Sequence, residues 1–200
     1  MSEQAISAAR LGKPVVIPTD TVYGLATMPF RSEPAERLFR LKGRAAGQPV
    51  ALMASDVDML FELVPELRGR AGVVARVLLP GPLTLVLPNP ARRFPWLTGE
   101  RPDTIGVRVP ELPDVSAPIL ATVGALAATS ANLSGGPDPA SLEEVPAEIR
   151  DACAALVDGG RLPGTPSTVV DLTGPEPRVL REGAVPADEV LERASAVTRS

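Results

Sequence analysis

The sequence predicts a layered α/β fold of the three-layer type, a twisted mixed sheet with helices on both faces. Three observations carry this. Helical and strand patterns are mixed along the whole length. Aromatic residues supply 3% of the chain against 44% hydrophobic overall, so the core is built from Ala, Val, Leu and Ile, which suits helices layered on a sheet. The 23 prolines and 17 glycines fall mainly between the periodic segments, as short connections require.

Taken in order, Ser2 caps a first helix over 3–11, with Gly12 as its stop. Val15-Val16-Ile17 reads as a buried strand. Pro18 ends it, and 19–25 follow as a polar loop or second strand. A helix over 33–41 turns Leu38 and Leu41 inward and ends at Lys42-Gly43-Arg44. Residues 49–54 form a strand, and Ser55 caps a helix over 57–64. A glycine-interrupted helix lies near 67–79, and 83–87 is a strand. In 105–109, Ile105, Val107 and Val109 share one face, so Arg108 points to the other. Residues 117–123 are helical and 125–129 a small-residue strand. Ser141 and Glu144 form a capping box for a helix reaching Ala154. Strands at 155–157, 168–172 and 178–181 precede a last helix over 187–197. The segments 88–103 and 158–167 are loops inside one domain spanning 1–200, with its core over about 5–186.

Composition removes several kinds of chemistry. The chain has no histidine, so neither a Ser-His-Asp nor a Cys-His nucleophile is available. A single cysteine, Cys153, builds neither a disulfide nor a thiolate metal cage. No apolar run approaches the ~20 residues of a membrane span, and MSEQAISAARLGKP lacks a signal-peptide core; the expected location is cytoplasmic. A net charge of −4 argues against strong general affinity for nucleic acid. Lys42 is one of two lysines among 20 basic residues. That is either chance or a place where a compact charge is wanted.

Four segments put hydroxyls, small residues and cations at strand ends, where backbone can approach a phosphate or an amino acid. Thr19-Asp20-Thr21 can bind an ammonium and a hydroxyl, or bond its own backbone as a turn. Lys42-Gly43-Arg44 with Gln48 suits a triphosphate, or places charge favourably at a helix C-terminus; it is not a Walker loop. Arg108, in an apolar alternating strand, either grips a carboxylate bidentately or lies in a salt bridge or on a solvated face. Ala128 to Gly136 offers donors for an anion, or is a plain Ser/Asn/Gly turn. A similar hydroxyl pair recurs at Ser167-Thr168.

The order PTDTVYGL, LKGR, PGPLTLVLP, TIGVRVP, ATSANLSG, PGTPSTVVDL and VLREGAV resembles the YrdC/Sua5 family of threonylcarbamoyl-AMP synthases from Val15 to Val185, in its short single-domain form. The resemblance implies a YrdC-like fold and a nucleotidyltransferase. The threonine amine is carboxylated by bicarbonate, and the carbamate attacks the α-phosphate of ATP, releasing pyrophosphate. Mg²⁺ comes with ATP rather than in a protein cage. The product goes to a downstream tRNA threonylcarbamoyl transferase complex for modification of adenosine 37.

By matching positions, the resemblance implies an ATP site of Arg44, Thr104, Ser130 and Arg181, with Gln48 and Asp138 beside it. Lys42 and Asn132 complete the Lys-x-Arg…Ser-x-Asn signature facing the phosphates, so Lys42, Arg44, Ser130 and Asn132 form the catalytic set. Thr21, Arg108, Ala128 and Ser167 form the threonine site, with Tyr23 and Met53 lining it. The chain departs from the family pattern at Gln48 (Asn or Lys), Asp138 (Ser), Met53 and Leu112 (His in some members). The competing expectations are an RNA-binding or ribosome-maturation module, with RNA or tRNA contact secondary at this net charge, and a synthase-inactive paralogue. The carbamoyl-phosphate enzymes of hydrogenase maturation share the fold but carry zinc-binding segments absent here.

Overall fold

The structure, a computed structural model, describes residues 2–43, 48–67 and 69–198. Among these residues nine strands form one sheet in the order β7-β1-β2-β6-β3-β5-β4-β8-β9. They are β1 (Val15–Pro18), β2 (Tyr23–Thr27), β3 (Ala51–Ala54), β4 (Leu83–Pro88), β5 (Thr104–Arg108), β6 (Ala125–Ser130), β7 (Ala155–Leu156), β8 (Thr168–Asp171) and β9 (Arg178–Arg181). Pairing is parallel for β1/β7, β3/β5 and β4/β8 and antiparallel elsewhere, so the sheet is mixed as expected.

The helices are α1 (Ser2–Arg10), α2 (Ser32–Leu41), α3 (Val57–Leu63), α4 (Gly69–Leu78), α5 (Ala117–Val123), α6 (Ala147–Ala152) and α7 (Ala187–Thr198). Strand alternation divides the apolar residues between two clusters. Leu52 and Ala54 enter one with Leu38, Leu60 and Val74, from α2, α3 and α4. Met53, between them, enters the other with Ala5, Ala8, Ile119 and Leu120, from α1 and α5. Helices therefore cover both faces. On the second face, however, α1 and α5 pack over β7, β1, β2 and β6, and among the described residues no helix packs over the far part of the sheet.

Local chemistry moves three boundaries. The α3 cap is Asp56, whose carboxylate accepts from the Met59 amide at 2.8 Å; Ser55 donates to Asp56 at 2.9 Å instead of capping. Ser2 lies inside α1, with its hydroxyl on the Val115 carbonyl. The helix expected from Ser141 begins at Ala147. Pro146 stands where that helix would need an amide, and its ring disfavours helical backbone at Val145. Glu144 reaches back to the Ala140 amide at 2.8 Å, so the segment closes as a turn.

Candidate active site

The uncovered part of the sheet is the floor of a cleft of about 550 Å³. Its chemistry follows from strand period. In β4, β5 and β8, Leu83, Leu85, Leu87, Ile105, Val107 and Val170 point into the first core cluster. The alternate residues Thr84, Val86, Thr104, Gly106, Arg108 and Val169 line the cleft. Thr21, Ala128, Ser130, Asp138, Ser167 and Arg181 complete the walls from the loops and strand ends around it. Eight residues expected in the site from their sequence position thus share one cavity: Thr21, Thr104, Arg108, Ala128, Ser130, Asp138, Ser167 and Arg181.

Arg108 is already paired. Its Nη2 donates to Asp20 Oδ1 at 2.6 Å and to Thr21 Oγ1 at 3.3 Å. Thr21 Oγ1 in turn lies 3.0 Å from Thr19 Oγ1, whose hydroxyl donates to the Val22 carbonyl at 2.7 Å. The β1–β2 loop is therefore a turn that bonds its own backbone, and it also lines the cleft through Thr19 and Thr21. Burial pushes the Arg108 guanidinium down from its ordinary range and the Asp20 carboxyl up, with each partner's charge opposing the shift. The nearby charge of Arg181 lowers Arg108 further, so two cations act on one floor. The fork is open, since Asp20 Oδ2 and Arg108 Nε are buried without a hydrogen bond between them or to another group, although the Glu111 amide lies close enough to act on the Asp20 carboxyl.

On the opposite wall, Ser167 Oγ lies 2.8 Å from Thr84 Oγ1, and Arg181 Nη2 donates to the Ser167 carbonyl at 2.8 Å. The chain at 183–185 is stitched to this wall. Thr168 Oγ1 accepts from Gly183 at 2.9 Å and Val185 at 3.1 Å and donates to the Val185 carbonyl at 2.6 Å.

Four other residues expected in the site lie off the described cleft lining. Lys42 does not line the cleft; it is 4% exposed. Its Nζ donates to the Ser130 carbonyl at 2.5 Å and to Asn132 Oδ1 at 2.7 Å. Asn132 also lies outside the lining and is buried. Its Oδ1 accepts from Ser130 Oγ at 2.7 Å, and its amide donates to the Gly136 carbonyl at 2.6 Å. These two residues brace the Ser130 loop from beneath. Tyr23 is fully buried, because its hydroxyl donates to the Gly160 carbonyl at 2.8 Å and accepts from the Gly159 amide at 2.9 Å. Met53 is buried in the second core cluster with Ile119 and Leu126, deeper along β3 than Ala51, which does line the cleft. Leu112 packs on that same cluster.

Gln48 is exposed and outside the lining, beside Pro49, which is part of it. Arg44 lies outside the described residues. Cleft residues not named among the expected site residues include Thr84, Glu100 and Arg101, while Asp20, named with Thr19 and Thr21 as part of the polar loop, pairs with Arg108. Asp20 sits in the quoted PTDTVYGL segment, and Thr84 is the polar member of an alternating Leu-Thr-Leu strand, the same signal that singled out Arg108.

Among the described residues no group of three or more His, Cys, Asp or Glu could hold a metal ion. The carboxylates on the described cleft lining are Glu100 and Asp138. Burial pushes the Cys153 thiol up to about 12, so at neutral pH it is no nucleophile. No helix among the described residues is long and apolar enough to cross a membrane.

Comparison with known proteins fits this geometry. The Sua5/YciO/YrdC family model, described as "Telomere recombination", matches residues 7–183. A threonylcarbamoyl-AMP synthase of Pyrococcus abyssi is 37% identical over 90% of this chain and 53% of its own length. One of Bacillus subtilis is 32% identical over 94% of this chain and 54% of its own length. The chain thus spans about half of these two relatives. The crystal structure of P. abyssi Sua5 complexed with L-threonine superposes with a TM-score of 0.86 at 35% identity, over 96% of this chain and 56% of that one. Escherichia coli YciO superposes at 0.82 and 29% identity, over 95% and 92%. By sequence and by fold, the chain belongs to the Sua5/YciO/YrdC family.

Proposed function

We propose that the chain is an L-threonylcarbamoyladenylate synthase, a nucleotidyltransferase that forms threonylcarbamoyl-AMP and pyrophosphate from L-threonine, bicarbonate and ATP. The observation that carries it is the shared cleft floor, where Arg108 and Arg181 stand among the hydroxyls of Thr21, Thr104, Ser130 and Ser167. A relative of the same fold is described in complex with L-threonine.

In this reading Arg108 receives the threonine carboxylate, with Thr21 and Ser167 around the amino acid. The amine adds to the carbon of bicarbonate and water leaves, giving a carbamate. A carbamate oxygen then attacks the α-phosphorus, and the bond to pyrophosphate breaks. Arg181, Thr104 and Ser130 face the nucleotide, and Arg181 stabilises charge developing on the phosphates. Alignment of the two substrates supplies up to roughly 7–11 kcal/mol, and no imidazole is needed. In this reading Mg²⁺ enters as part of the MgATP substrate, and Glu100 and Asp138 are the carboxylates on the described cleft lining. The product is consumed by a transferase acting on tRNA in the cytoplasm.

The test is pyrophosphate release. It should require L-threonine and bicarbonate together and yield the adenylate; equal ATP cleavage without threonine, or release of ADP, would sink the assignment. A folded protein that binds both substrates yet releases no pyrophosphate is the synthase-inactive paralogue.

A further inference from the structure

The two orphaned atoms behind the cleft, Asp20 Oδ2 and Arg108 Nε, belong to one ion pair. Its side chains are 7% and 12% exposed, and its contact is a single point, Nη2 to Oδ1 at 2.6 Å. A carboxylate and a guanidinium that met only for stability would close the fork with two parallel hydrogen bonds and satisfy both orphans. Here Nη2 is shared with Thr21 Oγ1 at 3.3 Å, and the fork stays unfilled. Arg108 lines the cleft, whereas Asp20 is not among the lining residues.

We infer that Asp20 is a positioning residue for the amino-acid subsite: it holds Arg108 by one Nη and leaves the rest of the guanidinium for the substrate's α-carboxylate. The inference rests on the proposed synthase activity. Asp20 performs a second service. The Arg181 charge acts on Arg108, and a carboxylate behind Arg108 offsets that repulsion, so both cations keep their places before the anionic substrates arrive.

The test separates the two substrates. In the full chain, Asp20→Asn removes the charge at nearly constant shape, and Asp20→Glu keeps the charge but moves it by one methylene. Initial rates are measured with threonine and ATP varied separately, and L-threonine alone is titrated calorimetrically. Asp20→Asn should raise the KM and the Kd for threonine about ten-fold or more, with the KM for ATP held within about two-fold. Asp20→Glu should fall between Asp20→Asn and the wild type. A threonine KM in Asp20→Asn within two-fold of wild type, or an equal rise for both substrates, overturns the inference. Should Asp20→Asn fail to fold, Asp20→Glu decides: a raised threonine KM at constant ATP KM supports it, and wild-type values overturn it. If the wild type releases no pyrophosphate, the synthase reading fails, and the calorimetric Kd alone decides on Asp20, equal values overturning it.

Discussion

Arg181 Nη2 donates to the main-chain carbonyl of Ser167 at 2.8 Å, joining the end of β9 to the residue just before β8. The resemblance places Arg181 with the nucleotide and Ser167 with the amino acid. In the proposed synthase reading the two subsites share this wall, and whatever moves it should disturb both.

Gly183 sets the wall. A Cβ built there would lie 2.1 Å from the Pro166 carbonyl oxygen and 2.7 Å from the Ser167 carbonyl carbon. Backbone cannot yield that much without shifting 166–167 and 181–183 apart. Gly183→Ala should cost about 1–3 kcal/mol as an overpacked site, lowering Tm by roughly 2–12 °C. It should also raise the KM for threonine and for ATP together. A thermal melt and two-substrate kinetics check this; a variant with wild-type melting and kinetics would show that the wall can yield.

For Arg108, the choice between ligand and ion pair resolves into a residue that is paired on one side and open to the cleft on the other. Lysine keeps the charge but loses the planar fork. Arg108→Lys should raise the threonine KM roughly ten-fold to a hundred-fold, as expected for lost charged hydrogen bonds, and leave the ATP KM nearly constant. Because Asp20 then keeps a poorer buried partner, Tm should also fall by a few degrees, about 1–2 kcal/mol. Equal impairment of both substrates would assign Arg108 to structure alone.

Lys42 calls for a different expectation from a phosphate ligand. A ligand on the cleft would lose ATP affinity with the fold intact. Lys42 instead bridges the end of α2 to the Ser130 carbonyl and Asn132, and its own carbonyl accepts from the Ser134 amide at 2.9 Å. Lys42→Met keeps the stem and removes the ammonium. It should lower Tm by roughly 3–12 °C, the loss of charged hydrogen bonds of about 1.5–3 kcal/mol, and weaken ATP use through the displaced Ser130. An unchanged Tm with a raised ATP KM would restore Lys42 to the phosphates.

What was legible in the sequence was periodicity. Alternation in 105–109 put Arg108 opposite Ile105, Val107 and Val109, and the structure keeps that division. Sequence position alone could not supply depth or long-range partners. Met53 sits in a strand that enters the cleft, but two residues beyond Ala51 the strand runs into the core formed with α5. Tyr23 finds its acceptor 137 residues away at Gly160, and Lys42 finds Asn132 90 residues away. Short-range charge logic at a helix end cannot see such partners. The Ser141 capping box failed for a local reason that was readable, namely Pro146 five residues on.

The last prediction concerns Gly106, at the centre of the cleft floor. It stands in β5 opposite Val86 of β4, on the same face as Thr104 and Arg108. A Cβ built there would meet nothing nearer than Thr84 Cγ2 at 3.9 Å, an ordinary contact. Its φ is not among the left-handed values seen at other glycines, so an L-residue fits the strand. Alanine should thus leave the fold intact and, by restricting the unfolded chain, raise stability by about 0.4–1 kcal/mol. Space inside the cleft is another matter. The added methyl rises from the floor between the Thr104 and Arg108 side chains, where the proposed reading brings the two substrates together. Gly106→Ala should keep or raise Tm and lower kcat/KM, and Gly106→Val should lower it further at little cost in Tm. A valine variant with wild-type kinetics would show that the substrates do not lie on this floor, and would move the reacting atoms away from β5.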